Sequence, residues 1–456
     1  MKTFVFLLLI GSLVFGDKSK PNILLIIADD LGNADVSFNS GKNALIKTPG
    51  IDRIAQEGVR LERFYACPVC SPTRVGTMIG RWPITLGLMG AVIPPWRKRG
   101  IEPEVITLPE ILSENGYQRR AIIGKWHLGH ASRKFLPLNQ GFNHFYGHLN
   151  GAIDYFSHLR EGENDWFRNE APIFEKGYAT DLLAAEADRF IRESHSQNEP
   201  FFIYLPFNAP HSPFQAKEED IKKVKNLSGK QQVYAAMVQS MDRGIGQILE
   251  TLDELKIADN TFVLFFSDNG GVKKVTSPSV LRDGKFSVYE GGIRVCAAAR
   301  WPDGGILGGK SISSTPIGYI DVLPTLCSVA GINLEPYEKD LDGQNVLEIM
   351  RGSNKEPKRP WFSLIDQDGR TSQMAVIQEP YKLVVKIDKT NNERINELYD
   401  LRQPSEQNNL AYTMPEKVKE LTTLLKRFQA LQVNPMPPYR KGKKGFKPPK
   451  NWVIKE

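Results

Sequence analysis

Four apolar runs in this chain each stop abruptly in charged or imidazole side chains. PNILLIIADD (21–30) closes on Asp29-Asp30, and RAIIGKWHLG (120–129) runs through Lys125 to His127. PFFIYLPFNAPH (200–211) ends in His211, and NTFVLFFSDNGG (260–271) ends in Asp268-Asn269. Short runs rich in branched and aromatic residues predict strands buried on both faces. Helical patterns lie between them, at Thr180–Glu193 with Asp181 in its first turn and at Gln231–Leu255. Strands alternating with helices imply an α/β domain whose mainly parallel central sheet is covered by helices. Ligands in such sheets bind beyond the carboxyl ends of the strands, so the four polar clusters should share one edge.

The residue types indicate what that edge holds. Asp29, Asp30, Asp268 and Asn269 offer hard oxygen atoms, which suit Ca²⁺ or Mg²⁺ rather than zinc. Crowded carboxylates need a cation to stay ionised. Arg74, Lys125, His127, His211 and Lys285 (in RDGKFSVYEGGIR, 282–294) add positive charge and protons to the same edge. A divalent cation ringed by such groups is a receptor for a tetrahedral oxyanion, which points to phosphate or sulfate esters.

CPVCSPTR (67–74) admits three readings: a redox pair, half of a metal site, or one cysteine that is chemically converted. The other cysteines, Cys296 and Cys327, lie apart in apolar settings, so no disulfide framework or second metal pair is expected. The amino terminus has Lys2, an apolar run FVFLLLIGSLVF (4–15) and Gly16, which predicts a signal peptide over 1–16 and an exported chain. That places it outside the cell or in a periplasm, or in lysosomes in an animal host. No later run is long enough to span a membrane. The formal charge of +7 is concentrated at the end, where residues 435–456 set Arg440, Lys441, Lys443, Lys444, Lys447, Lys450 and Lys455 against Glu456. Such a run reads as a solvated, poorly ordered tail, or else as a device that attracts an anionic polymer. Nucleic acid is not expected, since no binding motif accompanies the charge.

With these residues assembled, the chain resembles the type I, formylglycine-dependent sulfatases. CSPTR (70–74) is similar to the family's Cys-x-Pro-x-Arg motif and GKWHLG (124–129) to its second motif; NAPH, SDNGG, YEGGIR, LPTL and ELYDLRQPSEQNNLA follow in order, so the resemblance spans about 21–412. LPLNQGFNHFYGHLNGAIDYFSH (136–158) is similar to the arylsulfatase B branch (N-acetylgalactosamine-4-sulfatase) and to bacterial polysaccharide sulfatases. The resemblance implies an alkaline-phosphatase-like sandwich and a sulfatase acting on a sulfated oligo- or polysaccharide, with galactose- or galactosamine-4-sulfate as the expected class. A phosphate or phosphonate ester hydrolase of the same superfamily, or a non-catalytic glycan-binding relative, is the alternative.

Carried over by position, Cys70 is expected to become formylglycine through a formylglycine-generating or anaerobic sulfatase-maturing enzyme. Its hydrate would attack sulfur, and the second hydroxyl would release the sulfate again. Asp29, Asp30, Asp268 and Asn269, with converted Cys70, would ligate Ca²⁺. Arg74 and Lys125 would hold the diol, and His127 would act as base. His211 and Lys285 would bind sulfate and protonate the leaving oxygen.

Substrate contacts are expected from loops around the edge: Asp154 and His158 in AIDYFSH, and Arg97 in WRKR (96–99). His130, His144, His148 and His195 are assigned to structure. Domain organisation follows composition: a catalytic domain over 17–359, then WFSLIDQDG, QMAVIQEPYKLVVKI and ELYDL with a helix near Pro415–Leu431 as a small antiparallel subdomain over 360–434, then the basic tail.

Overall fold

In the computed structural model the four runs are strands of one sheet. Residues 20–312, 316–354, 357, 359–366, 368–403 and 405–455 are described; the expected signal peptide, 1–16, lies outside them. Five strands form the parallel centre: β1 (Asn22–Ala28), β2 (Arg119–Lys125), β3 (His144–His148), β4 (Phe201–Pro206) and β5 (Thr261–Ser267). Their spatial order is β5-β1-β4-β2-β3 within a ten-stranded sheet. Ala297–Arg300 adds antiparallel to β5, and Val59–Leu61 adds beyond it. The chain leaves β1, builds outward through β2 and β3, returns to β4, and crosses to β5 on the far side. The strand order therefore reverses at β1, and a crevice opens there.

Every residue of β1 is buried, and alternate side chains enter different cores. Ile23, Leu25 and Ile27 pack with Val75, Met78 and Ile79 of the helix Cys70–Ile79. Leu24, Ile26 and Ala28 pack beneath the helices Ala179–Ser196 and Gly229–Glu254.

After residue 360 the strands Trp361–Ile365, Thr371–Gln378, Tyr381–Asp388 and Glu393–Asp400 form an antiparallel meander in chain order. The helix Pro415–Gln429 covers it through Leu421, Leu425 and Phe428. Fully buried Lys382 sits between Glu290 and Glu406, 2.8 Å from each, and so ties this sheet to the loop that carries Lys285.

The last segment departs from the solvated tail suggested by its lysines. Met436 and Trp452 are buried, and Trp96 meets Tyr439 and Phe446 edge-on at 5.0 and 5.8 Å. Arg97 donates to the carbonyls of Pro438 (2.6 Å) and Lys441 (2.7 Å), and Trp452 Nε1 donates to the Arg160 carbonyl (3.0 Å). The apolar area of the aromatic residues, placed between the lysines, outweighs the cost of ordering the segment. Among the described residues no helix is long and apolar enough to cross a membrane.

Candidate active site

The carboxyl ends of β5, β1, β4 and β2, four neighbours in the sheet, deliver the predicted cluster to one crevice. Backbone bonds lock the strand exits together: Asp29 N–H donates to Ala209 O and Asp268 N–H to Ala28 O, each at 3.0 Å. Asp30 and His127 stand just beyond their strands with φ of 65° and 54°, a left-handed backbone that costs about 1–3 kcal/mol for such residues. The surroundings hold them there. A Cβ on Gly151 would come within 2.5 Å of the His127 ring, so only glycine lets that loop lie against the imidazole.

Cys70 is the first residue of its helix, and its thiol lies 3.5 Å from Asp29 Oδ1. Ser71 donates to the His127 carbonyl (3.0 Å) and Thr73 to the Asp268 carbonyl (2.6 Å), so the motif's small hydroxyls stitch the helix to β2 and β5. Arg74 is fully buried; its Nε and Nη2 donate to Asp268 Oδ2 at 2.9 and 2.7 Å, and its Nη1 donates to the Lys125 carbonyl. Lys125 Nζ pairs with Asp29 at 2.5 Å, and Lys285 Nζ with Asp30 at 2.6 Å. His211 Nε2 lies 3.6 Å from Asp30 Oδ2.

Burial and neighbouring charge set the protonation states. Burial works to raise Asp30, but Lys285 and His211 hold it below the usual carboxylate range, and Lys285 is raised in return. Burial and the Asp29 charge push Asp268 up to about 6. Burial raises the Cys70 thiol to about 12, so the side chain rests as a thiol and not a thiolate. His127 falls well below its ordinary value through burial and the charges of Lys125 and Arg74. His211 drops to about 3 through burial and Lys285. Both imidazoles are neutral at physiological pH.

This crevice is the floor of a cavity of about 500 Å³, lined by Cys70, His127, His211 and Lys285. Residues 21–332 match the family model described as Sulfatase. The chain belongs to the sulfatase family. N-acetylgalactosamine-6-sulfatase of Mus musculus is 34% identical over 367 residues, covering 75% of this chain and 68% of that one. Arylsulfatase J of Mus musculus is 31% identical over 355 residues, and this chain spans 57% of its length. The solved structure of Ps i-CgsB in complex with k-i-k-neocarrahexaose superimposes with a TM-score of 0.84 at 30% identity, covering 93% of this chain and 96% of that one.

The sulfatase site also fits a divalent cation. Ligand atoms of Asp29, Asp30, Cys70 and His211 all lie within 4.8 Å of one another. Asn269 donates through Nδ2 to Asp30 (2.8 Å), while its buried Oδ1 has no hydrogen-bond partner. A buried, orphaned amide oxygen beside acidic groups is a donor set that a hard cation completes.

The three residues expected to touch substrate have other partners. Asp154 accepts from the Phe156 and Ser157 N–H groups and from Gln215. His158 is buried and stacked on Trp166, with ring centroids 4.5 Å apart. Arg97 holds the C-terminal segment, as above. The wall comes from Asn150–Ala152, Pro94-Pro95, Arg160 and Tyr439-Arg440, of which the sequence reading names only Arg440, among the basic residues of the tail. The aromatics spaced among the tail lysines were the one sign that this segment would dock.

Proposed function

We propose that the protein hydrolyses sulfate esters of a sulfated polysaccharide, exported by its signal peptide and activated by conversion of Cys70 to formylglycine. The observation that carries this reading is the position of Cys70: buried at a helix N-terminus, against Asp29, and flanked by two cationic side chains already ion-paired. The aldehyde, hydrated, supplies one hydroxyl that takes the sulfo group and a second that, on losing its proton, re-forms the carbonyl and expels sulfate from the first oxygen. A calcium ion held by Asp29, Asp30, Asp268 and Asn269 would supply positive charge to the sulfate oxygens.

The chain's own groups do the rest. Lys125 and Arg74 fix the carboxylates around residue 70 and exclude water from beneath it. His127, neutral, can accept a proton at the nucleophile. Lys285 keeps its proton and stands beside the cavity as hydrogen-bond donor to a sulfate oxygen. His211 is neutral in the free site, and the negative charge of a bound ester would raise it toward protonation, where it can serve the leaving oxygen.

For the sugar we assign galactose or galactosamine, with the sulfate on O4. One relative is named for N-acetylgalactosamine and one solved neighbour is held with a neocarrahexaose, which supports the galactose type. The same relative is named for a 6-sulfate, which makes O6 the rival position. The test is co-expression with a maturing enzyme and sulfate release from chondroitin, dermatan, carrageenan and heparan types. Peptide mass spectrometry across 60–81 should show the aldehyde at Cys70, and C70A should release no sulfate. Faster cleavage of an aryl phosphate than of the matching aryl sulfate would overturn the reading.

A further inference from the structure

Two guanidinium groups on the cavity wall have almost nothing to pair with. Arg440 lines the cavity, is exposed, and has no carboxylate partner among the described residues. Arg160 lines it too; among the described residues its one ion pair is a loose contact with Glu161 at 3.7 Å, and its buried Nε has no hydrogen-bond partner there. Glu161 is shared besides with Lys443 at 3.4 Å.

The backbone that carries both groups is held firmly. Arg97 grips the carbonyls of Pro438 and Lys441, on either side of Tyr439-Arg440, and the Trp452 indole grips the carbonyl of Arg160 itself. Asn451 N–H donates to Glu163 (2.8 Å), which closes the strap onto the Arg160 hairpin. A segment tied down on both sides of a free cation is arranged to present that cation. A buried donor left without an acceptor is costly unless a ligand supplies one.

We propose that Arg160 and Arg440 form a second anion subsite, which takes a sulfate ester or carboxylate on the sugar next to the one being desulfated. The inference rests on the sulfatase reading and deepens it: the substrate is a polyanion read at two charges, one at Cys70 and one at the wall. Arginine suits this role because its planar fork pairs with both sulfate and carboxylate oxygens. The positioning residue is Arg97, which reaches no substrate and fixes the segment that does.

The experiment compares kcat/KM on matched galactosamine-sulfate disaccharides whose neighbouring sugar carries a carboxylate, a second sulfate, or only hydroxyls. 4-Nitrophenyl sulfate serves as a one-charge reference. The wild-type enzyme should prefer a charged neighbour by about tenfold or more, through KM, and the preferred arm identifies the anion. R440Q and R160Q should bring that ratio toward one, and R440K should restore part of it. Thermal melts confirm that each variant is folded; Arg440 is exposed, so its variants do not disturb the core. A wild type indifferent to the neighbouring charge overturns the subsite, as do variants that lose equally on all arms. Failure of the wild type on every sulfate, the aryl ester included, overturns the sulfatase reading instead.

Discussion

On the floor of the cavity every cation is matched: Arg74 with Asp268, Lys125 with Asp29, Lys285 with Asp30. On the wall, Arg440 is unpaired among the described residues and Arg160 is held only loosely by Glu161. The floor balances its charge internally because it is buried, where an unpaired ion is intolerable. On the wall the exposed Arg440 can stay unpaired at little cost, and the buried Nε of Arg160 lacks an acceptor that a ligand can supply. On the proposed reading the labour divides: the floor would hold the geometry of reaction in advance, and the wall would select which substrate reaches it.

Removing one charge from each region should show the contrast most sharply. D268N leaves the fully buried Arg74 guanidinium with only the longer Asp29 contact at 3.8 Å, so we expect a loss of about 3 kcal/mol in denaturant unfolding. Sulfate release should fall by about three orders of magnitude, as for loss of a preorganised electrostatic group. R440Q should stay within about 0.5 kcal/mol of wild type. Equal stability effects would erase the distinction between floor and wall. The same logic predicts that added Ca²⁺ raises the melting temperature of the wild type and does little for D29N, since a ligand stabilises only the state that binds it.

A smaller effect should follow from unlatching the wall while the floor is intact. W452A removes a buried indole, its bond to the Arg160 carbonyl and its ring contact with His130 at 5.7 Å. An expected loss of about 3 kcal/mol, at the low end for Trp to Ala, fits a site at the end of the chain. KM for the polysaccharide should rise severalfold while kcat changes less than twofold. A fall confined to kcat would show that the strap supports the floor after all.

The floor was legible in the sequence because its parts are local. Asp29, Asp30, Lys125, His127, His211, Asp268 and Asn269 each lie within five residues of the end of a strand buried on both faces, while Cys70 and Arg74 are marked by their own short motif. The wall is assembled from residues far apart in the chain, Arg160 and Arg440 among them, and no local pattern joins them. Charge alone did not say what two of these elements touch. Arg97 has the composition of a ligand contact, and in the fold its Nη2 donates to two carbonyl oxygens of the tail. The tail has the composition of a solvated segment, yet Tyr439, Phe446 and Trp452 give it something to bury. His158 shows the same limit: a loop histidine beside aromatics reads as a sugar contact, and whether it stacks inward on Trp166 depends on a partner eight residues on.

The gentlest probe of the comparison is pH, read at the residue that joins the two regions. His130 bonds through Nε2 to Asn150 (3.0 Å), a wall residue, and its ring packs on Trp452. Burial, helped by the charge of Arg160 and opposed by the Asn150 bond, lowers it from 6.5 to about 4. The folded chain therefore binds this proton less readily than the unfolded chain. The neutral imidazole's contribution is complete above pH 6.5 and is lost progressively as pH falls toward 4. Asp165, pushed up to about 6 by burial, works in the opposite sense, since its contribution is lost as pH rises through that value. Comparing H130F with wild type cancels Asp165 and leaves the histidine. The melting temperature of wild type should fall more steeply than that of H130F between pH 6.5 and 4, by a few degrees over the interval. Parallel curves would mean that His130 is already charged in the folded protein, and that the joint between floor and wall is wetter than its burial indicates.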